Sequence, residues 1–353
     1  MRARPLIIRS KTKNDINIMA TRLFAAPSPH IHGGESTRRI MLDVVLALIP
    51  ALAVSAYVLG WRSLMITAVA VASCVLFEYL IQRLLFKGRT TIGDLSAVVT
   101  GMLLAFNLPV GIPWWIVVIG ALVAIGIGKM TFGGLGCNPF NPALTGRIFL
   151  LIAYPVQMTD WTTGVPTDMQ SPMMFDSVSG ATSADAMSGA TALPMVKQNP
   201  ELAGNTDFGD MLFGQMNGSM GEICALALIL GGIYLLWRKV ITWHIPVAIL
   251  GTMAIFAACV GMCEGGSLVY ELPIFHLLAG GALLGAIFMA TDYSTSPMTH
   301  KGMIIYGVGI GVITMVIRLW GAYPEGMSFA IFIMNAATPL INKYCKPKRF
   351  GTK

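Results

Sequence analysis

A chain of 353 residues that is 55% hydrophobic and only 12% charged lies far from the roughly 25% charged content of soluble domains. Its mean hydropathy of +0.69, with 38 Gly and 23 Met, fits a membrane bundle, where small residues let helices approach and Met fills irregular gaps. The formal charge of +7 points to no nucleic-acid partner, because the basic residues sit between and beyond the apolar runs and so read as a topology signal.

Residues 1–39 carry Arg2, Arg4, Arg9, Lys11, Lys13, Arg22, Arg38 and Arg39 without an apolar core that would make a signal peptide, so this segment is expected in the cytoplasm. Met19 opens a string that itself reads like a protein start, which leaves residues 1–18 as a candidate extension with no function attached. Apolar runs follow at 40–59, 63–86, 94–108, 113–130 and 142–158, then at 221–237, 243–262, 274–290, 302–320 and 326–342. They predict an all-α polytopic membrane protein of about ten transmembrane helices, five in a first half (40–158) and five in a second (221–342). Arg83, Lys87, Arg89, Lys129, Arg238, Lys239, Lys301 and the basic tail 343–353 then all fall on the cytoplasmic side, with both termini.

The runs 94–108 and 142–158 are short and adjoin Asn107-Leu108-Pro109 and Asn138-Pro139-Phe140-Asn141-Pro142, as short broken helices lining a site do. An odd number of spans per half gives the halves opposite orientation, so the pattern is compatible with a 5+5 inverted repeat, although no internal identity proves it. The six cysteines contain no CxxC pair, and neither a disulfide framework nor a metal site is indicated.

Residues 159–220 form the long hydrophilic stretch, which this topology puts on the outer, periplasmic side. It sets Asp160, Asp168, Asp176, Asp185, Glu201, Asp207 and Asp210 against Lys197. Within it, DSVSGATSADAMSGATALP holds D-x-x-S-G-A-T twice, as Asp176 to Thr182 and as Asp185 to Thr191. A flexible Ser/Gly/Ala/Thr linker has similar composition, but nothing makes a linker reuse an ordered string with an acid first and a hydroxyl last. A threonine hydroxyl is a poor nucleophile unless activated, so any chemistry on it has to come from a modifying enzyme.

This string resembles the target on which a dedicated flavin transferase, using FAD as donor, esterifies the phosphate of FMN onto the final threonine. Together with SPHIHGGESTRRIMLDVVLALIPAL, GGLGCNPFNPALTGRIFLLIAYPVQMTDW, WHIPVAIL, HLLAGGALLGAIFMATDYSTSP and RLWGAYPEGMSFAIFIMNAATPLI, it makes the chain from about residue 27 onward similar to the RnfD family of the Rnf electron-transport complex. Its NqrB relatives in the sodium-pumping NADH:quinone reductase share the flavin motif but are typically longer. The resemblance implies covalent FMN on Thr191 within Asp185, Ser188, Gly189 and Ala190, because Thr191-Ala192-Leu193-Pro194 matches the family's usual sequel; Thr182 is the alternative. It further implies a second, non-covalent flavin (riboflavin or FMN), the membrane and peripheral subunits of an Rnf complex as partners, and a bacterial cytoplasmic (inner) membrane location.

Asp43, Glu78, Asp94, Arg147, Asp292 and Arg318 fall within or at the edges of apolar runs, where a charge costs on the order of 3 kcal/mol at mid-span. Asp43, Asp94 and Arg318 stand near span ends, where reaching the interface would satisfy them. Asn138, Asn141 and Asp292 combine helix breaks with hydrogen-bonding side chains and are candidates for an internal flavin or ion site.

Two functions remain open on the residues alone. One is a redox subunit of an ion-translocating oxidoreductase, fed by partners, since the chain has no nicotinamide fingerprint and no cluster-binding cysteine pattern. The other is a solute channel or secondary transporter without flavin, to which spans and broken helices apply equally.

Overall fold

A computed structural model describes residues 36–86, 91–159, 193, 208–213, 218–263, 271–323 and 325–346. The described residues form helices and connecting turns, with no strand among them. In the first half these are α1 (Thr37–Leu59), α2 (Trp61–Ile81, prolonged by a π-helical turn at Gln82–Phe86), α3 (Ser96–Phe106), α4 (Trp114–Leu122, prolonged by π-helical turns at Val123–Met130) and α5 (Pro142–Ala153). Two short helices follow, α6 (Pro155–Thr159) and α7 (Phe208–Phe213). The second half has α8 (Ala225–Trp237), α9 (His244–Cys263), α10 (Glu271–Leu278), α11 (Ala282–Leu284, prolonged by π-helical turns at Gly285–Met289), α12 (His300–Trp320) and α13 (Met327–Tyr344).

Every one of the ten apolar runs thus contains a helix, but they are not ten alike. Four helices, α1, α2 with its extension, α9 and α12, are long and apolar enough to cross a membrane. The run at 274–290, read from sequence as one span, is α10 and α11 bent by 65°. α3, α4, α5 and α8 are shorter apolar helices, and the outward apolar surface of α1, α2, α8 and α9, with Leu46, Leu76, Leu230 and Ile255 exposed, is the face expected of lipid contact. All six tryptophans among the described residues (Trp61, Trp114, Trp115, Trp237, Trp243 and Trp320) stand at or beside helix ends and are 43–79% exposed, where an indole spans the apolar and wet sides of an interface.

Packing is of the same kind in both halves. α2 lies against α3 and α4, and α9 lies against α10 and α12. The halves meet first helix to first, α1 on α8, and last to last, α5 on α13. Close approach of α12 to α9 depends on Gly307 and Gly311, one turn apart: a Cβ on the first would stand 2.6 Å from the Cβ of Ala248, and one on the second 2.7 Å from the Cβ of Thr252, the small-residue contact by which membrane helices gain dispersion energy.

The two broken third elements share a backbone device. Leu95, with φ 61°, precedes α3, and Gly280, with φ 68°, precedes α11. A left-handed residue turns the chain sharply before a helix; glycine does so freely, whereas leucine does so only when its surroundings hold it there.

Candidate functional site

The short helices bring polar groups together at two places. The first is a cavity of about 80 Å³ between the halves, lined by Lys129, Ser96, Asn138, Asn141 and Asp292 among others. The structure therefore gathers Asp292 and, from the distant NPFNP stretch, Asn138 and Asn141 around one space. Asn141 is the N-cap of α5: its Oδ1 accepts from the Ala143 N–H at 3.0 Å, and Pro142 occupies the first helical position, where its missing N–H costs nothing. The Asn141 Nδ2 donates across the halves to the Met289 carbonyl at 3.1 Å, and the Asn138 Nδ2 donates to the Phe140 carbonyl at 3.0 Å. Asp292, in the connection between α11 and α12, accepts from the Ser294 hydroxyl at 3.0 Å. Burial pushes its carboxyl above the ordinary carboxylate range, against the hydrogen bonds from Ser294, Asn138 and Thr295.

One wall of this cavity corrects the sequence reading of Lys129. Counted there as a cytoplasmic topology charge, it is 1% exposed. Its ammonium donates to Glu78 Oε2 at 2.6 Å and to Ser96 Oγ at 2.7 Å, while Gln82 Nε2 donates to the other Glu78 oxygen at 3.2 Å. Asp43 and Arg318 likewise do not reach an interface. Asp43 accepts from Tyr234 at 3.0 Å and from Arg238 Nη2 at 3.1 Å, because α1 packs on α8. Asp94 is half-buried in the turn before α3.

The second place is the α10–α11 break. Arg318, 3% exposed, donates through Nη1 to the His276 carbonyl at 2.6 Å and through Nη2 to the Ala279 carbonyl at 3.0 Å. These are orphan carbonyls at the C-terminal end of α10, where a cation also meets the negative end of the helix dipole. On the other side of the break, Glu325 Oε1 accepts the Gly281 N–H at 2.6 Å, leading into α11, and its second oxygen pairs with Arg147. Arg147 also donates to Asn107 Oδ1 at 2.5 Å, tying the end of α3 to the same cluster. Burial alone would raise the Glu325 carboxyl; the Arg147 and Arg318 guanidiniums hold it below the ordinary range.

Glu222 is the second carboxylate here, in the turn before α8 and outside that helix. A Cβ on Gly281 would lie 3.6 Å from Glu222 Oε1 and in contact with Glu325 Oε1. Glu222 accepts the Ser219 N–H at 3.3 Å, and no ion pair reaches it among the described residues. Burial, then the neighbouring Glu325 charge, pushes its carboxyl up to about 7. Sequence reasoning flagged Arg147 and Arg318 but missed Glu222 and Glu325, which stand in short Gly-containing connections; the available signal was an acid beside glycine at the mouth of an apolar run.

Thr182, Asp185, Ser188, Gly189, Ala190 and Thr191 lie outside the described residues. Leu193 does not. It is 7% exposed in a small apolar cluster with Met211, Leu272, Phe275 and Ala279. A Cβ on Gly280 would be 2.7 Å from Leu193 Cδ1 and 2.9 Å from Arg318 Nη2. The break, its capping arginine and Leu193 therefore share one spot.

Comparison with known proteins places the chain among curated sequence relatives. The chain is 47% identical over 337 residues to the D-type subunit of the Na(+)-translocating ferredoxin:NAD(+) oxidoreductase complex of Acetobacterium woodii, covering 93% of this chain and 95% of that one. It is 40% identical over 333 residues to the D-type subunit of the proton-translocating ferredoxin:NAD(+) oxidoreductase complex of Clostridium ljungdahlii, covering 92% and 95%. Against the D-type subunit of the ion-translocating oxidoreductase complex of Stutzerimonas stutzeri it is 40% identical over 330 residues, covering 90% and 93%. With residues 24–351 matched, the chain belongs to the NQR2, RnfD, RnfE family.

Proposed function

We propose that this chain is the RnfD-type membrane subunit of an ion-translocating ferredoxin:NAD oxidoreductase, and that it carries FMN as a phosphoester on Thr191. The observation that carries the reading is the string Asp185 to Thr191, which ends two residues before the anchored Leu193. Along the chain Thr191 lies two residues from Leu193 and Thr182 eleven. The buried Arg318, beside Gly280 against which Leu193 packs, keeps an Nε without a partner among the described residues. Attached to Thr191, FMN supplies one- and two-electron chemistry; this chain supplies the attachment hydroxyl and the surroundings, and a flavin transferase is needed for maturation.

About ten spans in a 5+5 inverted repeat are part of the same proposal. It is supported by the matching contacts of the two halves and by the left-handed residues Leu95 and Gly280 that precede α3 and α11. With the basic connections taken as cytoplasmic, this reading has the 159–220 loop outside the bacterial inner membrane and both termini in the cytoplasm. Other membrane and peripheral subunits of the complex deliver and remove electrons. The inter-half cavity, at about 80 Å³, is small beside the roughly 300 Å³ at which drug-sized pockets begin. It suits an ion with its waters more readily than a second, non-covalent flavin, which would need the halves to part.

Ultraviolet illumination of a denaturing gel tests the reading. A fluorescent band that is lost in Thr191→Val and kept in Thr182→Val is the expected result. A dark wild-type band would favour a solute channel or secondary transporter, and FMN found by peptide mass spectrometry only on Thr182 would move the site.

A further inference from the structure

The first turns of α9 and α12 lie side by side. Their opening residues, His244 and His300, stack with ring centroids 4.3 Å apart and planes 15° from parallel, and Trp243 stacks on His244 at 4.2 Å. The two helices therefore start at one level, and the exposed Trp243 suits that level to a membrane–water interface. From there they run in contact, with Gly307 and Gly311 against Ala248 and Thr252. At about 3.6 residues per turn, this contact line puts Lys301, Ile304 and Val308 of α12 on the same side as Gly251 and Ile255 of α9. That side is open among the described residues: Ile255, Ile304 and Val308 are 67%, 44% and 41% exposed, and a Cβ added at Gly251 would meet nothing within 4 Å. The result is a shallow apolar groove that starts at the level of Trp243 and is deepest at Gly251.

The mouth of the groove is basic. Lys301 stands there, and Lys239 lies in the connection that leads to Trp243; both are exposed, and neither belongs to an ion pair among the described residues. Tyr293 donates to the Val240 carbonyl, which brings the connection carrying Lys239 against the one that leads into α12. The acid of these two connections, Asp292, lines the inter-half cavity instead and accepts from Ser294. No acidic side chain of either connection therefore offsets the lysines at the surface.

We propose that this groove binds an anionic phospholipid, with its phosphate held at the mouth by Lys301, Lys239 adding to the attraction, and one acyl chain lying between α9 and α12 over Gly251. The charge alone would serve an acidic protein surface as well. What selects the lipid is continuity: positive charge, an indole and an apolar groove follow one another in the order in which a phospholipid presents its phosphate, its ester region and its chain. No flavin enters into this binding.

Native mass spectrometry of the full chain in a neutral detergent, offered phosphatidylglycerol and phosphatidylcholine with the same chains, is the test. The wild type is expected to retain phosphatidylglycerol in preference. Lys301→Gln should cut that preference about five-fold, the effect of one basic charge at a lipid surface. Arg83→Gln, an exposed charge on the α2 extension in the first half, should leave it unchanged. Gly251→Leu, which fills open space and so leaves the packing intact, should lower retention of phosphatidylglycerol. A wild type without preference, a preference untouched by Lys301→Gln, or an equal fall in Arg83→Gln overturns the proposal. A preference that falls in Lys301→Gln with retention untouched by Gly251→Leu also overturns it, in favour of an acidic protein at the same lysines.

Discussion

Lys129 and Glu78 form an ion pair of 2.6 Å in which each side chain is 1% exposed. Removing one member leaves the other charged and unpaired, which costs about 3–5 kcal/mol, whereas removing both is far milder. Lys129→Met should therefore lower the melting temperature in detergent sharply, and Lys129→Met combined with Glu78→Gln should recover most of the loss. A double variant no more stable than the single one would show that the pair is not the source of the effect.

Arg318 serves two carbonyls from two nitrogens of one planar fork, a geometry that a lysine ammonium does not reproduce. Arg318→Lys should cost about 1–3 kcal/mol for an unsatisfied buried carbonyl. The loss should be local, with hydrogen exchange accelerating in 271–289 and at 208–213 before it does in α2 or α3. Uniform acceleration through the chain would count against this account of the break.

Asn141 caps α5 and donates to Met289 across the halves. Asn141→Asp keeps the cap acceptor and loses the donor; Asn141→Ala loses both. The alanine variant should be destabilised by about 1 kcal/mol for the cap and by a further ~1 kcal/mol for the orphaned carbonyl. Thermal unfolding of the two variants side by side separates these contributions, and an aspartate variant that melts like wild type would mean that the Met289 bond contributes nothing.

Glu222 gives a pH dependence with a definite sign. Its carboxyl is pushed up to about 7 in the fold, against about 4.3 in the unfolded chain. The fold prefers the neutral acid, so the group's contribution is complete below about pH 4 and is lost as pH rises through 7. Glu222→Gln, neutral at every pH, should melt like wild type near pH 4 and above it near pH 8. A variant that melts lower at the alkaline end would reverse the sign and the assignment.

Much of this architecture is legible in the sequence, because apolar runs bounded by Pro, Gly and basic residues are dictated by the membrane itself. The NPFNP stretch announces its break through an N-cap asparagine and a proline at the first helical position. The bend inside 274–290 is not announced: Gly280-Gly281 lies in an uncharged apolar run and reads equally well as a small-residue packing face. Lys129 misleads because a basic residue at a span end usually faces water, and only the fold brings Glu78, fifty-one positions earlier, to its ammonium. Arg318 stands out as anomalous, but its partners are main-chain carbonyls about forty residues upstream, which no side-chain pattern reveals.

Three ion pairs close within the bundle: Lys129 with Glu78, Asp43 with the 39% exposed Arg238, and Arg147 with Glu325. These pairs sum to zero, so none of the chain's formal excess of +7 comes from them. Such a molecule drifts by exchange of partners rather than of single residues. A descendant that lost Glu325 would be expected to have lost Arg147 as well, and the surface would remain the place where charge can change alone.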